Sequence, residues 1–224
     1  MFRVKICGIT NREDAVTAAD SGADAVGLNF FDGSPRCVSR EVAQDILKVL
    51  PPQVTKVGVF VNSPASEVRK TFDDLGLDII QLHGDEPPPM LGLFENRPVI
   101  RAFRCRDTGL DPVVEYIEKC TRLACIPYGV LIDAYYPGQY GGTGRAVDWN
   151  SVVRQRTELG NLNLVLAGGL TPANVAKGIT TVQPTAVDTA SGVESSPGIK
   201  DASKLQQFVR AAENAFTAVL DDKK

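Results

Sequence analysis

Short apolar runs alternate with longer amphipathic segments along the whole chain, and each change of pattern coincides with glycine, proline or a capping residue. Runs of four to six mostly apolar residues predict buried strands. The predicted strands are Phe2–Ile6, Ala25–Asn29, Lys56–Val61, Ile79–His83, Val99–Phe103, Gly129–Asp133, Leu164–Ala167 and Ala186–Asp188.

The segments between these runs have helical spacing and helix start and stop signals. Thr10-Asn11 predicts a helix start and Ser21-Gly22 its end, while Pro51-Pro52 and Gly76 lie at the ends of the next two helices. The further predicted helices are Ser39–Leu50, Ser63–Leu75, Pro88–Phe94, Pro112–Cys120, Trp149–Glu158, Pro172–Ile179 and Ala202–Leu220.

Eight strand–helix units in 224 residues, about 28 residues each, predict a parallel sheet with right-handed crossovers. The pattern favours a single-domain (β/α)8 TIM barrel of the α/β class over residues 1–224. The rival is an open doubly wound sheet. That fold usually has a GxGxxG fingerprint after its first strand, whereas here the segment is Cys7-Gly8-Ile9-Thr10.

Composition places the chain among ordinary globular proteins, with 43% hydrophobic and 23% charged residues. The net charge of −3 provides no positive surface for nucleic acid or an anionic membrane. We find no apolar run near the ~18 residues of a membrane span and no signal-peptide pattern. We therefore expect a soluble cytoplasmic protein with no nucleic-acid or membrane partner.

The five cysteines and the single histidine limit the chemistry further. An odd number of cysteines without a CxxC pair predicts neither a disulfide framework nor a zinc site. One histidine also excludes a histidine-rich metal site. We expect most of the thiols to be small core side chains and the protein to bind no metal.

Cys7 is the first candidate, because active sites of (β/α)8 barrels lie at the carboxyl ends of the strands. Lys5 has the same parity as Cys7, so both side chains are predicted to point into the barrel. The Lys5 ammonium and the helix start after Gly8 would each stabilise a thiolate, the form that a base requires. The alternative is an inert buried thiol.

Asp133 ends the sixth strand and is followed by the glycine-rich loop Ala134–Arg145. A carboxyl group in a partly apolar mouth is suited to general-acid catalysis, and the loop could close over the site as a lid. A helix cap or a loop-stabilising aspartate is an equally good interpretation.

The loops after strands seven and eight predict a phosphate site. They contain Gly168 and Gly169, and Ser191 and Gly192, and in (β/α)8 enzymes these two loops frequently bind phosphate through backbone N–H groups. Two ordinary glycine turns are the alternative.

Two further side chains are weaker candidates for substrate binding. Arg36, in Ser34-Pro35-Arg36, presents a guanidinium suited to a carboxylate or phosphate, although most exposed arginines are merely solvated. His83 ends the fourth strand, where a lone histidine is more often a hydrogen-bonded structural residue than an acid–base group.

Together these segments resemble the phosphoribosylanthranilate isomerase family over nearly the whole chain. The opening KICGIT and the later DTASGVE are specific when they occur together. The segments that carry the resemblance are Lys5–Thr10, Gly22–Gly27, Ser34–Arg36, Val57–Asn62, Gln81–Glu86, Ile132-Asp133, Tyr140–Gly144, Asp148-Trp149, Leu166–Leu170 and Asp188–Glu194.

The resemblance implies a cofactor-free Amadori rearrangement of N-(5-phosphoribosyl)anthranilate in tryptophan biosynthesis. It implies that Cys7 is the general base and Asp133 the general acid. It also implies that Arg36 binds the anthranilate carboxylate, and that the glycine loops bind the phosphate.

The partner is then a small phosphorylated substrate, and the protein itself a monomer or homodimer. The alternatives are another sugar-phosphate barrel enzyme and a non-catalytic thiol sensor; a sensor would not need Asp133.

Overall fold

The computed structural model describes residues 1–105, 110–134, 149, 152–153 and 156–221. Eight parallel strands in these ranges form a closed barrel in sequence order, because β1 pairs with both β2 and β8. The strands are β1 (Val4–Cys7), β2 (Ala25–Asn29), β3 (Thr55–Phe60), β4 (Ile79–Leu82), β5 (Val99–Cys105), β6 (Gly129–Ala134), β7 (Asn163–Leu166) and β8 (Ala186–Thr189). The predicted TIM barrel is therefore confirmed.

Helices follow the strands on the outside of the barrel. They are α1 (Arg12–Asp20), α2 (Arg40–Leu47), α3 (Ala65–Leu75), α4 (Pro88–Leu91), α5 (Asp111–Arg122), α6 (Val175–Val182) and α7 (Ala202–Asp221), with 3-10 turns at Gly92–Phe94, Arg156–Leu159 and Ser191–Val193. Of the helix predicted over Trp149–Glu158, residues 149, 152 and 153 are helical and residues 156–158 belong to a 3-10 turn, while residues 150–151 and 154–155 fall outside the described residues. None of the helices in the described ranges is long and apolar enough to cross a membrane.

Local hydrogen bonds explain where two of the helices begin. Asn11 caps α1, and its side chain accepts a hydrogen bond from the backbone N–H of Asp14. The predicted start of α6 at Pro172 is wrong, because Asn174 Oδ1 accepts the N–H of Thr171 and closes a turn ahead of Val175.

A short antiparallel hairpin after β8 was not predicted. It consists of β9 (Glu194–Ser196) and β10 (Ile199–Lys200), with Pro197-Gly198 between them. Its polar sequence has no apolar alternation to indicate strands, although Pro-Gly is a turn signal. The hairpin is adjacent to the mouth of the barrel through Lys200, which donates a hydrogen bond to the backbone oxygen of Cys7.

Side chains of the strands divide between two packed layers. Val4 and Ile6 belong to the large apolar cluster between strands and helices, whereas Ala25, Ile100 and Leu131 belong to a smaller cluster that includes no helix residue. Alternation along β1 therefore points Lys5 and Cys7 into the barrel, as predicted. The functional side chains thus rise from the interior toward the carboxyl ends of the strands.

Candidate active site

A pocket at the carboxyl end of the barrel brings most of the predicted site residues together. Those that line it are Cys7, Arg36, His83, Asp133, Gly168, Gly169 and Ser191. The pocket holds about 610 Å³ of space, part of which is open to solvent. Gly192 lies outside this lining and packs closely against the backbone of Leu170.

Cys7 lies at the end of β1 above a buried ion pair. Lys5 is fully buried, and its Nζ donates a hydrogen bond to Asp188 Oδ1 at 2.9 Å. On the neighbouring strand β2, Gly27 makes room for both groups: a Cβ there would lie 2.8 Å from Cys7 Sγ and 3.1 Å from Lys5 Nζ. The thiol and the ammonium therefore converge on the one position of β2 that lacks a side chain.

The charges around Cys7 act in opposite directions on its thiol. Burial raises the pKa of Cys7 above its ordinary value, and Asp188 adds to this rise, while the Lys5 and Lys200 ammonium groups oppose it. Lys5 thus acts in the predicted direction, but burial outweighs it. Despite burial, attraction to Asp188 and Cys7 keeps the pKa of Lys5 above its ordinary value, so the ammonium remains charged beneath the thiol.

Asp133 lies at the end of β6 beside the single histidine. Asp133 Oδ2 is 3.2 Å from His83 Nε2, and both side chains are nearly buried. The opposite ring nitrogen, His83 Nδ1, is 3.2 Å from Nε2 of Gln81, which is fully buried two residues earlier. An amide, an imidazole and a carboxyl group therefore form a row that ends at the pocket.

Arg36 is held by an acidic partner from the other side of the mouth. Its Nε and Nη2 donate hydrogen bonds of 2.8 and 2.6 Å to the two carboxylate oxygens of Glu194. Lys200 Nζ donates to the same carboxylate at 2.8 Å and to the backbone oxygen of Cys7 at 2.7 Å. Despite burial, Arg36 and Lys200 keep the pKa of Glu194 below its ordinary value.

The two predicted phosphate loops are in direct contact. Gly168 and Gly169 have φ values of +83° and +66°, a backbone conformation that favours glycine. Thr189 Oγ1 donates a hydrogen bond to the backbone oxygen of Leu170, and a Cβ at Gly192 would clash with that same oxygen. Gly192 therefore permits the close approach of the loops that present Gly168, Gly169 and Ser191 to the pocket.

Sequence reasoning missed four residues around this pocket. Lys200 and Glu194 hold Arg36 and the end of β1, Gly27 makes room for Cys7, and Gln81 contacts His83. Strand parity could have placed Gln81 below His83, and the Pro-Gly turn could have indicated the hairpin that carries Lys200.

Some predictions fall on residues that the structure does not describe. These are the glycine-rich lid with Gly138, Gly141, Gly142 and Gly144, the segment Tyr135–Gln139, and Asp148. The lid therefore remains a prediction from the sequence. The five cysteines all lie in described ranges, and all are free.

Comparisons with known proteins agree on one family. Residues 4–211 match the family model of N-(5′-phosphoribosyl)anthranilate (PRA) isomerase. The chain is 47% identical to the N-(5′-phosphoribosyl)anthranilate isomerase of Trichlorobacter lovleyi, over 96% of this chain and 100% of the relative.

Two solved structures extend the similarity to the fold. The phosphoribosyl anthranilate isomerase of Thermotoga maritima has a TM-score of 0.84 and 39% identity, over 96% of this chain and 100% of that one. A phosphoribosyl anthranilate isomerase in complex with reduced 1-(o-carboxyphenylamino)-1-deoxyribulose 5-phosphate has a TM-score of 0.81 and 37% identity over the same shares.

Proposed function

The chain belongs to the N-(5′-phosphoribosyl)anthranilate isomerase family, and on that premise we propose that Cys7 and Asp133 are its general base and general acid. The activity is the isomerisation of N-(5′-phosphoribosyl)anthranilate in tryptophan biosynthesis. The observation that carries our assignment is the shared pocket, which Cys7 and Asp133 both line together with Arg36 and the glycine loops.

The reaction begins with a proton from Asp133. Protonation of the furanose ring oxygen lets the bond from that oxygen to C1 break, with the nitrogen lone pair forming an iminium. Asp133 is left as a carboxylate with His83 Nε2 nearby. A buried acid in reach of the ring oxygen therefore suits ring opening.

Cys7 then acts on the carbon next to the iminium. The iminium acidifies the C2–H bond, so a thiolate removes that proton and an enolamine forms. Tautomerisation to the ketone gives 1-(2-carboxyphenylamino)-1-deoxyribulose 5-phosphate. No electrons are exchanged with a cofactor, and Cys7 and Asp133 return to their starting protonation states through solvent.

The remaining residues bind the two anionic ends of the substrate. Arg36 pairs with Glu194 through Nε and Nη2, so its Nη1 edge is left out of that pair and suits the anthranilate carboxylate. The backbone of Gly168, Gly169, Ser191 and Gly192 suits the phosphate, and the complex of the related isomerase with a ribulose 5-phosphate derivative supports this class of ligand.

The test is a fluorescence time course with substrate generated in situ. We expect wild type to consume the substrate signal, and Cys7→Ala and Asp133→Asn each to lower kcat by roughly 10²–10⁴-fold. Both variants should still be protected against thermal unfolding by a ribulose-phosphate product analogue, because the binding loops are intact.

Matched controls make the same two kinds of substitution at residues outside the pocket. Cys125→Ala, on the outer layer beside Pro88, and Asp45→Asn, exposed on α2, should retain wild-type kcat. Wild-type turnover by Cys7→Ala or Asp133→Asn would refute the assignment of that residue.

A further inference from the structure

The side chain of Gln81 is fully buried, and only one of its two polar atoms is within hydrogen-bond distance of a partner in the described part of the chain. Its Nε2 lies 3.2 Å from His83 Nδ1, whereas its Oε1 is buried without a hydrogen-bond partner among the described residues. Leaving a buried acceptor unpaired destabilises the folded protein, and an apolar side chain would avoid this cost. The amide at this position therefore points to a role in orienting the imidazole.

His83 connects this amide to Asp133. Its Nε2 lies 3.2 Å from Asp133 Oδ2 but is not aligned for a hydrogen bond. Catalytic hydrogen bonds are often long or poorly aligned before substrate binds. The ring nitrogens of His83 therefore face two different partners, Gln81 and Asp133.

We propose that Gln81 is a positioning residue that fixes the tautomer of His83 for the acid Asp133. The Gln81 N–H donates to Nδ1, so Nδ1 is unprotonated and the single proton of the neutral ring resides on Nε2. This N–H faces Asp133. When Asp133 has given its proton to the ring oxygen, the new carboxylate accepts a hydrogen bond from Nε2–H, and no proton leaves the imidazole.

This proposal rests on the proposed role of Asp133, and the reverse amide orientation is the competing arrangement. With the amide reversed, Gln81 Oε1 would accept a hydrogen bond from Nδ1–H, and the lone pair of Nε2 would face Asp133. Two lone pairs would then meet as the carboxylate forms. A donor at Nε2 instead stabilises the charge that develops in the acid step.

The single histidine allows a direct measurement of the tautomer. We would label histidine with a spin-active nitrogen isotope and record the two ring nitrogens of His83 by NMR in the full-length, ligand-free protein. We expect a protonated Nε2 and an unprotonated Nδ1. A proton on Nδ1 alone would overturn the proposal, and this result requires no turnover.

Variants then connect the tautomer to catalysis. Gln81→Glu is nearly isosteric but accepts a hydrogen bond from Nδ1, so we expect the proton on Nδ1 and a kcat lowered roughly 10–100-fold with little change in KM. The control is Gln53→Leu, on an exposed residue, which should change neither the NMR spectrum nor kcat. A reversed tautomer with unchanged kcat would refute the role in catalysis.

A second pair of variants tests the same point at His83. The amide of His83→Gln can present a donor where Nε2 lies, whereas His83→Asn presents one only near Nδ1. We expect kcat of His83→Gln to exceed that of His83→Asn. An equal loss of kcat in His83→Gln and His83→Asn would count against the proposed tautomer of His83. Full activity of Asp133→Asn would instead refute the proposed function.

Discussion

At the scale of single residues, the site contains a thiol that its surroundings hold in the protonated form. Burial raises the pKa of Cys7 above its ordinary value of 9.0, and Asp188 reinforces this effect. Lys5 and Lys200 limit the rise, because each places a positive charge near the thiolate. The two ammonium groups therefore lower the free-energy cost of forming the thiolate without removing it.

This balance predicts a thiol whose reactivity rises with pH. Because the thiolate is the reactive form and its pKa lies above the ordinary value, the fraction of Cys7 thiolate grows as the pH increases from about 7 to about 10. We expect the rate at which iodoacetamide alkylates Cys7, followed by mass spectrometry of its peptide, to increase over this range, and Cys125→Ala to show the same rise at Cys7. A rate that levelled off below the ordinary pKa of a thiol would contradict burial as the dominant influence on Cys7.

At the scale of elements, the site depends on how closely β1 and β2 approach. Gly27 on β2 pairs with Cys7 on β1, and the space above its Cα is taken by Cys7 Sγ and Lys5 Nζ. Lys5 cannot move away freely, because its Nζ donates a hydrogen bond to Asp188 within the barrel. A side chain at position 27 would therefore displace the proposed base.

We predict that Gly27→Ala lowers both stability and kcat. The added Cβ would lie 2.8 Å from Cys7 Sγ, closer than real contacts allow, and overpacking of this kind costs about 1–3 kcal/mol. Urea unfolding and steady-state kinetics would measure the two effects. Gly92→Ala is the control, since its Cβ would meet only Cys125 Cβ at 3.9 Å; an equal loss there would refute the steric argument.

The same scale shows what the sequence could and could not predict. Buried parallel strands have apolar runs, and Ser39 and Asn11 carry side chains that cap helices, so most elements were predictable within a few residues. The sequence could also predict that Cys7 and Asp133 lie at the same end of the barrel, because the carboxyl ends of the strands meet there.

The polar contacts between elements could not be predicted from the sequence. Arg36 and Glu194 are 158 residues apart, and their pairing requires the barrel register and a hairpin with no apolar pattern. The direction of the Cys7 pKa shift depends on burial, which no local pattern reports. The pairing of Arg36 and the direction of this pKa shift therefore follow from distances and burial in the folded structure, not from residue types.

At the scale of the whole molecule, closure of the barrel depends on the seam between its first and last strands. β1 and β8 pair in parallel, with Lys5 opposite Asp188, so the ion pair lies directly on this seam. The two residues are 183 positions apart, and both are buried. The Lys5–Asp188 pair thus connects the first and last strands of the barrel and also lies directly beneath Cys7.

Removing one partner of this pair should therefore cost more than removing both. Lys5→Met leaves the Asp188 carboxylate buried without its counter-charge, and we expect a loss of about 3–5 kcal/mol in the free energy of unfolding. Lys5→Met/Asp188→Leu replaces both charges with apolar side chains, so it should recover most of that loss. Urea unfolding of the full chain would measure both, with Lys119→Ala at an exposed pair as a control that leaves the midpoint unchanged. If the double variant were as unstable as Lys5→Met, the seam would need the ion pair itself, and desolvation of a lone carboxylate would not be the reason for the loss.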